Sequence, residues 1–175
     1  MTRPVFFTTT LRDGAEVTIR EIGPQDRCLM QDGFTQLSPD SRVMRFLASH
    51  PVLSEDELDT FTATNDDNHF AIGALSGGTP LATARYVRIG DSDTAEIALT
   101  VIDDWQGRGL GTVLIDALIE AGKAAGITQF VALLQGSNQG MRKLLVRRGA
   151  HRVSSTGPEA EYELNLYADE LPRSA

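Results

Sequence analysis

The chain predicts an α/β domain of the α+β kind, and three observations carry that prediction. Three strand-like runs, residues 69–75, 80–89 and 94–101, are separated only by Ser76-Gly77-Gly78-Thr79 and Gly90-Asp91-Ser92-Asp93, so they form an antiparallel meander. Beyond it, Val113, Leu114, Ala117, Leu118 and Ala121 recur at helical spacing. Between the two patterns lies Gln106-Gly107-Arg108-Gly109-Leu110-Gly111, a glycine-rich passage from strand to helix.

The other elements follow from local signals. Residues 5–11 and 16–21 are rich in Val, Ile, Phe and Thr and flank Arg12-Asp13-Gly14-Ala15, which predicts a hairpin around Asp13-Gly14. Gly23-Pro24 opens a helix running to about residue 37, and Ser38-Pro39-Asp40 opens another that carries Val43, Met44 and Leu47. Ser54-Glu55-Asp56-Glu57 is an N-terminal cap signature ahead of Leu58 and Phe61. The helix from Leu110 ends before Gly126, residues 129–134 form a short apolar strand, and residues 138–148 form a last helix stopped by Gly149. Residues 151–155 and 162–166 close the chain as a pair of strands. No repeat or linker interrupts this order. It reads as an N-terminal arm over residues 1–15, one domain over 16–166, and a loosely held tail over 167–175.

Composition narrows the function. A chain of 175 residues, 41% hydrophobic and 23% charged, is long enough for one domain with a full core. Its single cysteine, Cys28, excludes an internal disulfide framework and a cysteine-based zinc site, and it reads as core beside Leu29 and Met30. His50, His69 and His151 lack metal-ligand spacing, so no metal is expected. No run approaches 18 apolar residues, and Met1-Thr2-Arg3-Pro4 lacks the apolar stretch of a signal peptide. The expectation is a cytoplasmic protein with no membrane partner. A net charge of -8 argues against nucleic acid and favours a cationic substrate or partner, although it also serves solubility. Oligomeric state is not legible.

The glycine-rich passage is the informative segment. A turn without side chains that opens a helix leaves backbone N–H groups unpaired beside the positive end of the helix dipole, which suits an anion, phosphate above all. A nucleoside-triphosphate loop needs Lys directly before Ser or Thr, whereas Gly111 precedes Thr112 here. A dinucleotide fold needs G-x-G-x-x-G early in a βαβ unit with an acidic residue about 20 positions on; glycines at 107, 109 and 111 and a following strand that runs into Gln135 do not supply it. A turn that binds nothing remains the plainer reading of three glycines taken alone.

Further residues carry a resemblance. Ala95-Glu96-Ile97-Ala98-Leu99-Thr100-Val101, then Trp105-Gln106-Gly107-Arg108-Gly109-Leu110-Gly111-Thr112, then Asn138 with Met141, Leu144 and Gly149-Ala150, resemble the GNAT superfamily of N-acyltransferases. Leu37-Ser38-Pro39-Asp40-Ser41-Arg42, Arg45-Phe46, Leu53-Ser54-Glu55-Asp56-Glu57-Leu58 and Ala84-Arg85-Tyr86-Val87 resemble the acyltransferase domain of bacterial Pat-type protein lysine acetyltransferases. The resemblance implies a mixed, mostly antiparallel central sheet flanked by helices. It also implies a stand-alone catalytic module without the regulatory or synthetase-like domains of that group.

For the site, the resemblance implies acetyl-CoA as cosubstrate, with its pyrophosphate on the amides of Gln106, Gly107, Arg108, Gly109, Leu110, Gly111 and Thr112. The pantetheine arm is expected along Leu99, Thr100, Val101 and Ile102, whose N–H groups can polarise a thioester carbonyl; one such donor is worth about 3 kcal/mol. Arg108 is the expected side-chain partner of a phosphate oxygen. Asn138 is expected against the pantetheine or as a helix cap, and Arg142, among the cations Arg142, Lys143, Arg147 and Arg148, at the CoA 3′-phosphate.

The acceptor is a primary amine, with protein lysine first and a small cationic amine as the alternative. A third reading is a CoA-binding sensor without turnover. A lysine amine with pKa near 10.4 is protonated at pH 7, and removing that proton costs roughly 4.6 kcal/mol. Glu96 matches the family's general base, acting through a water; such a role predicts a partly buried carboxyl with a raised pKa. Asp103-Asp104 reads as a solvated turn, and one of Arg85 and Tyr86 is expected to line the acceptor channel. Many family members carry a tyrosine as general acid where this chain has Leu145, so the thiolate, of pKa roughly 8.5, is expected to leave without one.

Overall fold

The structure, a computed structural model, describes residues 5–168. The segment read for a leader and all but two residues of the expected tail lie outside the described residues. β1 (Phe6–Thr10) and β2 (Glu16–Glu21) pair antiparallel around the expected turn, with Thr8 opposite Thr18. β3 (His69–Ser76), β4 (Thr79–Arg88) and β5 (Thr94–Val101) form the expected meander. β6 (Gln129–Gln135), β7 (His151–Thr156) and β8 (Glu159–Asn165) complete an eight-stranded sheet in the order β1-β2-β3-β4-β5-β6-β8-β7. Every neighbouring pair is antiparallel except β5 with β6. β8 begins at Glu159 rather than Tyr162: Glu159 and Glu161 are poor strand formers, but pairing with β6 on one side and β7 on the other outweighs propensity.

Five α-helices cover the sheet: α1 (Arg27–Thr35), α2 (Pro39–Phe46), α3 (Glu55–Phe61), α4 (Leu110–Ala124) and α5 (Gln139–Val146). The first helical stretch splits, because residues 24–26 form a 3-10 turn. Asp26 causes the break: its carboxylate accepts from Gly23 N at 2.9 Å and from Arg20 Nη2 at 2.7 Å. α2 and α3 start on serine caps, Ser38 Oγ accepting from Ser41 N and Ser54 Oγ from Glu57 N, each at 3.2 Å.

Strand alternation divides the helices between two faces. Ala84, Tyr86, Ala95, Ile97 and Phe130 are buried beneath Leu114, Ile115 and Leu118 of α4. The opposite face of β4 and β5 carries Thr83, Arg85, Glu96 and Thr100, and α1, α2 and α3 cover it over Thr83, Arg85 and Thr100 but leave Glu96 exposed. Cys28 is exposed rather than core, since Phe34 is the residue α1 buries. Among the described residues no helix is long and apolar enough to cross a membrane, and no cluster of His, Cys, Asp or Glu is placed to hold a metal ion.

α4 packs tightly on the sheet at Gly122. A Cβ there would lie 2.8 Å from Phe130 Cζ and 3.2 Å from Leu166 Cδ1, and Phe130 is fully buried. Gly122→Ala should therefore destabilise the protein by about 1–2 kcal/mol, overpacking outweighing the helix-propensity gain of up to about 1 kcal/mol. Urea unfolding of the two proteins measures this; an equal or higher midpoint in the variant would contradict the tight contact.

Candidate active site

The site begins where two strands part. β5 and β6 are parallel and pair over only three positions, Thr94↔Gln129, Ala95↔Phe130 and Glu96↔Val131. Past Glu96, β5 remains paired with β4 as far as Val101↔Ala82, and β6 with β8 as far as Gln135↔Glu159. The facing edges diverge and leave peptide groups on the β6 side of β5 without a strand partner. The wedge between them is a cleft of about 470 Å3. Leu99, Thr100 and Val101 form one wall, and Asn138, Met141 and Leu144, at and within α5, form the other.

The floor is the glycine turn. Gly107 and Gly109 have φ of +72° and +93°, conformations that strain any residue with a Cβ. Gly109 is also the N-cap of α4, with no side chain bonded to the first-turn amides. Those N–H groups therefore remain available at the positive end of a 15-residue helix. Gln106, Gly107, Gly109, Gly111 and Thr112 all line the cleft, and nothing lies within 4 Å of where a Cβ on Gly107 would be. An open cradle of amide donors fits the pyrophosphate of a CoA thioester.

The remaining expected donor-site residues are placed differently. Arg108 does not line the cleft: its Nε pairs with Asp13 and its guanidinium stacks on Trp105, 3.8 Å from the ring centroid. Arg12, from the β1–β2 turn, lines the cleft instead, and its Nε is 3.7 Å from where a Cβ on Gly109 would be. Arg142 donates to Gln139 and is absent from the lining, whereas Lys143 and Arg147, one helical turn apart, are present. Leu110 is buried in the core, so it offers only backbone. Ile102 is likewise buried, and its amide is already bound to Leu81 O at 2.9 Å. Asn138 caps α5, its Oδ1 accepting from Met141 N at 3.1 Å. Sequence reasoning passed over Arg12, and among the four cations weighed for the 3′-phosphate it put Arg142 ahead of Lys143 and Arg147, the two that line the cleft. For the last two, the i, i+4 spacing beside the cleft-facing Leu144 was the usable signal.

Glu96 stands at the fork, at the last position of β5 paired with β6. It is exposed rather than partly buried, because its neighbours on that face, such as Val87 at 39% exposure, are not roofed by helix. Two residues along, the face is covered, and a second cavity of about 60 Å3 lies between α1–α3 and β4. Arg85 lines it, while Tyr86 points into the core on the other face. Arg45 and Thr100 line both cavities, so the two spaces adjoin across the end of β5.

The charges of this second face are unusual. Arg45 lies 4.8 Å from the Phe46 ring centroid and 5.6 Å from that of Phe61, and Arg85 lies 4.3 Å from the Phe61 centroid. Burial, then the Arg85 charge, lowers the Arg45 pKa to about 10 against the opposing pull of Glu96 and Glu57. Burial lowers Arg85 as well, opposed by the same two carboxylates. Both arginines remain cationic at neutral pH. Nearby His69 has both ring nitrogens buried without a partner.

Comparison with known proteins places this arrangement. The sequence model of the Acetyltransferase (GNAT) family matches residues 35–150. Acetyltransferase Pat of Mycolicibacterium smegmatis is 47% identical over 79 residues, which cover 45% of this chain and 23% of that protein. The match thus spans less than a quarter of that relative's length. Acetyltransferase PA5475 of Pseudomonas aeruginosa is 31% identical over 144 residues, covering 80% of this chain and 77% of that protein. Among solved structures, the GNAT domain of S. lividans PAT superposes with a TM-score of 0.87 at 29% identity, over 91% of this chain and 96% of that one.

His69 sets a pH dependence of stability. Burial, then the Arg85 charge, holds its pKa below the ordinary 6.5, so the unfolded chain binds the extra proton first as pH falls. The stability contribution is intact above about pH 6.5 and is lost as pH drops through the folded value. Urea unfolding at pH 7.5 and 5.5 should show the acid-side loss in the natural protein, and a smaller loss in His69→Leu. Equal losses would place the titrating group elsewhere.

Proposed function

The chain belongs to the GNAT acetyltransferase family, and from that premise we propose that it transfers the acetyl group of acetyl-CoA to the side-chain amine of a protein lysine. The observation that carries the reading is the meeting of two cavities at Arg45 and Thr100, beside the unpaired edge of β5. One cavity has the donors for a phosphate-bearing acyl carrier, and the other opens onto the face that bears Glu96.

Acetyl-CoA supplies an acetyl group as a thioester whose thiolate is a competent leaving group. The amides of residues 106–112 and the dipole of α4 would hold its pyrophosphate, with Arg12 as the charged side chain beside them. Lys143 and Arg147 would meet its remaining phosphate, and the unpaired edge at Leu99, Thr100 and Val101 would receive its amide arm as a strand receives a neighbour. That last contact puts backbone N–H donors beside the carbonyl on which negative charge grows. Glu96 takes the ammonium proton through a water, the neutral nitrogen then attacks the carbonyl carbon as the carbon–sulfur bond breaks, and the nitrogen's second proton passes to solvent. Leu145, buried at 1% exposure, offers no proton, so the departing thiolate is protonated by solvent.

Protein lysine is supported by the likeness to Pat and by an acceptor side that is open around Glu96, with Val87 and Ile89 exposed at 39% and 48%. A small amine is the second reading, favoured by the small 60 Å3 cavity next to Thr100.

Glu96→Gln should lower kcat by roughly 10²–10⁴-fold with acetyl-CoA affinity retained, measured by CoA-thiol release and calorimetry. Unaltered turnover across pH would remove Glu96 as the base. Loss of one charge-assisted contact in Arg12→Ala should raise the KM for acetyl-CoA by about tenfold or more. Arg108→Ala should raise it far less, since Asp13 and Trp105 already hold that guanidinium; the reverse order would mean that Arg108 turns into the cleft on binding.

A further inference from the structure

We propose that the amine acceptor carries a carboxylate, and that Arg85 and Arg45 receive it in the small cavity between α1–α3 and β4. The inference rests on the acetyltransferase reading of the site for the word acceptor, and on the cavity itself for the carboxylate.

Most arginines elsewhere in the fold are engaged; among the described residues Arg12, Arg147 and Arg152, which have no ion pair or side-chain hydrogen bond, are exposed, and Arg42 keeps a buried Nε without a partner. Arg20 pairs with Asp26, Arg27 with Glu55 and Asp59, Arg108 with Asp13, and Arg148 with Asp116. Arg42 and Arg88 donate to backbone carbonyls. Among the described residues, Arg45 and Arg85 have neither an ion pair nor a side-chain hydrogen bond, and Arg85 Nη1 is buried without a partner. Phe61 and Phe46 lie against the guanidinium planes, which steadies them without supplying an acceptor oxygen. A buried charged donor left unbonded is costly, and the cost is recovered when a ligand brings the missing oxygens.

Size and charge select the ligand. The cavity, about 60 Å3, is several times what one water needs, roughly 10–15 Å3. Apart from Thr83 and Thr100 it is otherwise walled by apolar side chains such as Leu29, Met30 and Leu53, which suits a carboxylate on a short aliphatic stem. The negative charges of Glu57 and Glu96 reach both guanidiniums, which disfavours a dianion such as phosphate. Neither glutamate bonds to an arginine: Glu57 is engaged by His50 Nε2 at 2.9 Å and by Ser54 N at 2.8 Å. A planar carboxylate also matches the fork of a guanidinium. Because Arg45 and Thr100 continue into the donor cleft, a bound carboxylate would place the rest of the acceptor toward the thioester end. Two sources share this chemistry: an acidic residue next to the target lysine, or a free amino acid.

Two measurements decide the proposal. Saturation-transfer NMR on the CoA-saturated protein, with butanoate and butanamide as probes, should show contact for butanoate alone and lose it in Arg85→Gln. Acetylation rates should then be compared for two matched pairs: lysine peptides with Glu or Gln beside the lysine, and 5-aminopentanoate against its amide. The acid member of at least one pair should be favoured about tenfold in kcat/KM, and the ratio should fall to about one in Arg85→Gln. The favoured pair identifies the source. Thermal melting checks that the variant is folded; if it is not, Arg85→Lys, which keeps the charge and loses the fork, takes its place. Equal contact by the two probes, contact that survives the substitution, or ratios near one for both pairs would overturn the proposal. If no amine is acetylated at all, the proposed reaction fails, and the butanoate signal alone decides whether the carboxylate site exists.

Discussion

The site depends on the early parting of β5 and β6. Had their parallel pairing continued beyond Glu96↔Val131, the edge of β5 would be satisfied by β6 and the glycine turn would be an ordinary strand-to-helix connection. Because it stops after three pairs, α4 and α5 enter the wedge by their N-terminal ends, and both present capping geometry to the cleft. The unpaired peptide edge, the amide cradle and the carboxylate of Glu96 are three consequences of one divergence. Phe130 and Tyr86, whose rings lie 5.8 Å apart below the fork, hold the paired half closed while the other half opens.

A polar knot couples the two sides of the site. Asp103, expected as a solvated turn residue, instead accepts from Ser38 N at 3.0 Å and from Ser41 Oγ at 3.1 Å. Gln106 Nε2 donates to Val101 O at 3.0 Å and reaches Ser41 Oγ at 3.3 Å. The end of β5, the start of the glycine turn and the N-terminus of α2 are thus tied together, and α2 carries Arg45. Burial raises the Asp103 pKa, but the hydrogen bonds from Ser38 and Ser41 outweigh it and hold the carboxyl below its ordinary value. The tie is therefore present above the ordinary carboxylate range and loosens only as pH falls through the depressed pKa. Part of the strongly glycine-like character of residues 107–111 can be tolerated because this knot fixes the chain immediately before them.

What was legible in the sequence was local or periodic. The meander, the helical stripe from Val113 to Ala121 and the positive-φ turn follow from spacing and turn chemistry, and the structure has all three. What escaped depends on contacts far apart in the chain. Arg108 sits in a motif that suggests phosphate, yet Asp13, 95 positions away, holds its side chain. Ile102 continues the cleft strand in sequence, but Leu81 has taken its amide. Arg12 looks like a hairpin-turn residue until the sheet brings β1 and β2 over the N-terminus of α4. Alternation on β5 could not say which face of Glu96 was roofed, since that depends on where α1–α3 stop.

The exposure of Glu96 changes how the chemistry must be shared. A carboxylate in water is a weak base for an ammonium of pKa near 10.4, so Glu96 alone does not account for a neutral nucleophile. In the proposed reaction the guanidiniums of Arg45 and Arg85, next to the cleft, would supply the other half. At a separation of about 6 Å and an effective dielectric of about 20, a unit positive charge would disfavour protonation of an amine by roughly 3 kcal/mol, about two pKa units. Under the proposal the same charges would attract an acceptor's carboxylate and expel its ammonium proton, so binding and activation would draw on one electrostatic source. Glu57 and Glu96 also act on these arginines electrostatically. They keep the Arg45–Arg85 pair tolerable in the free protein, where Arg45 retains a pKa of about 10 and both guanidiniums stay charged until an acceptor arrives.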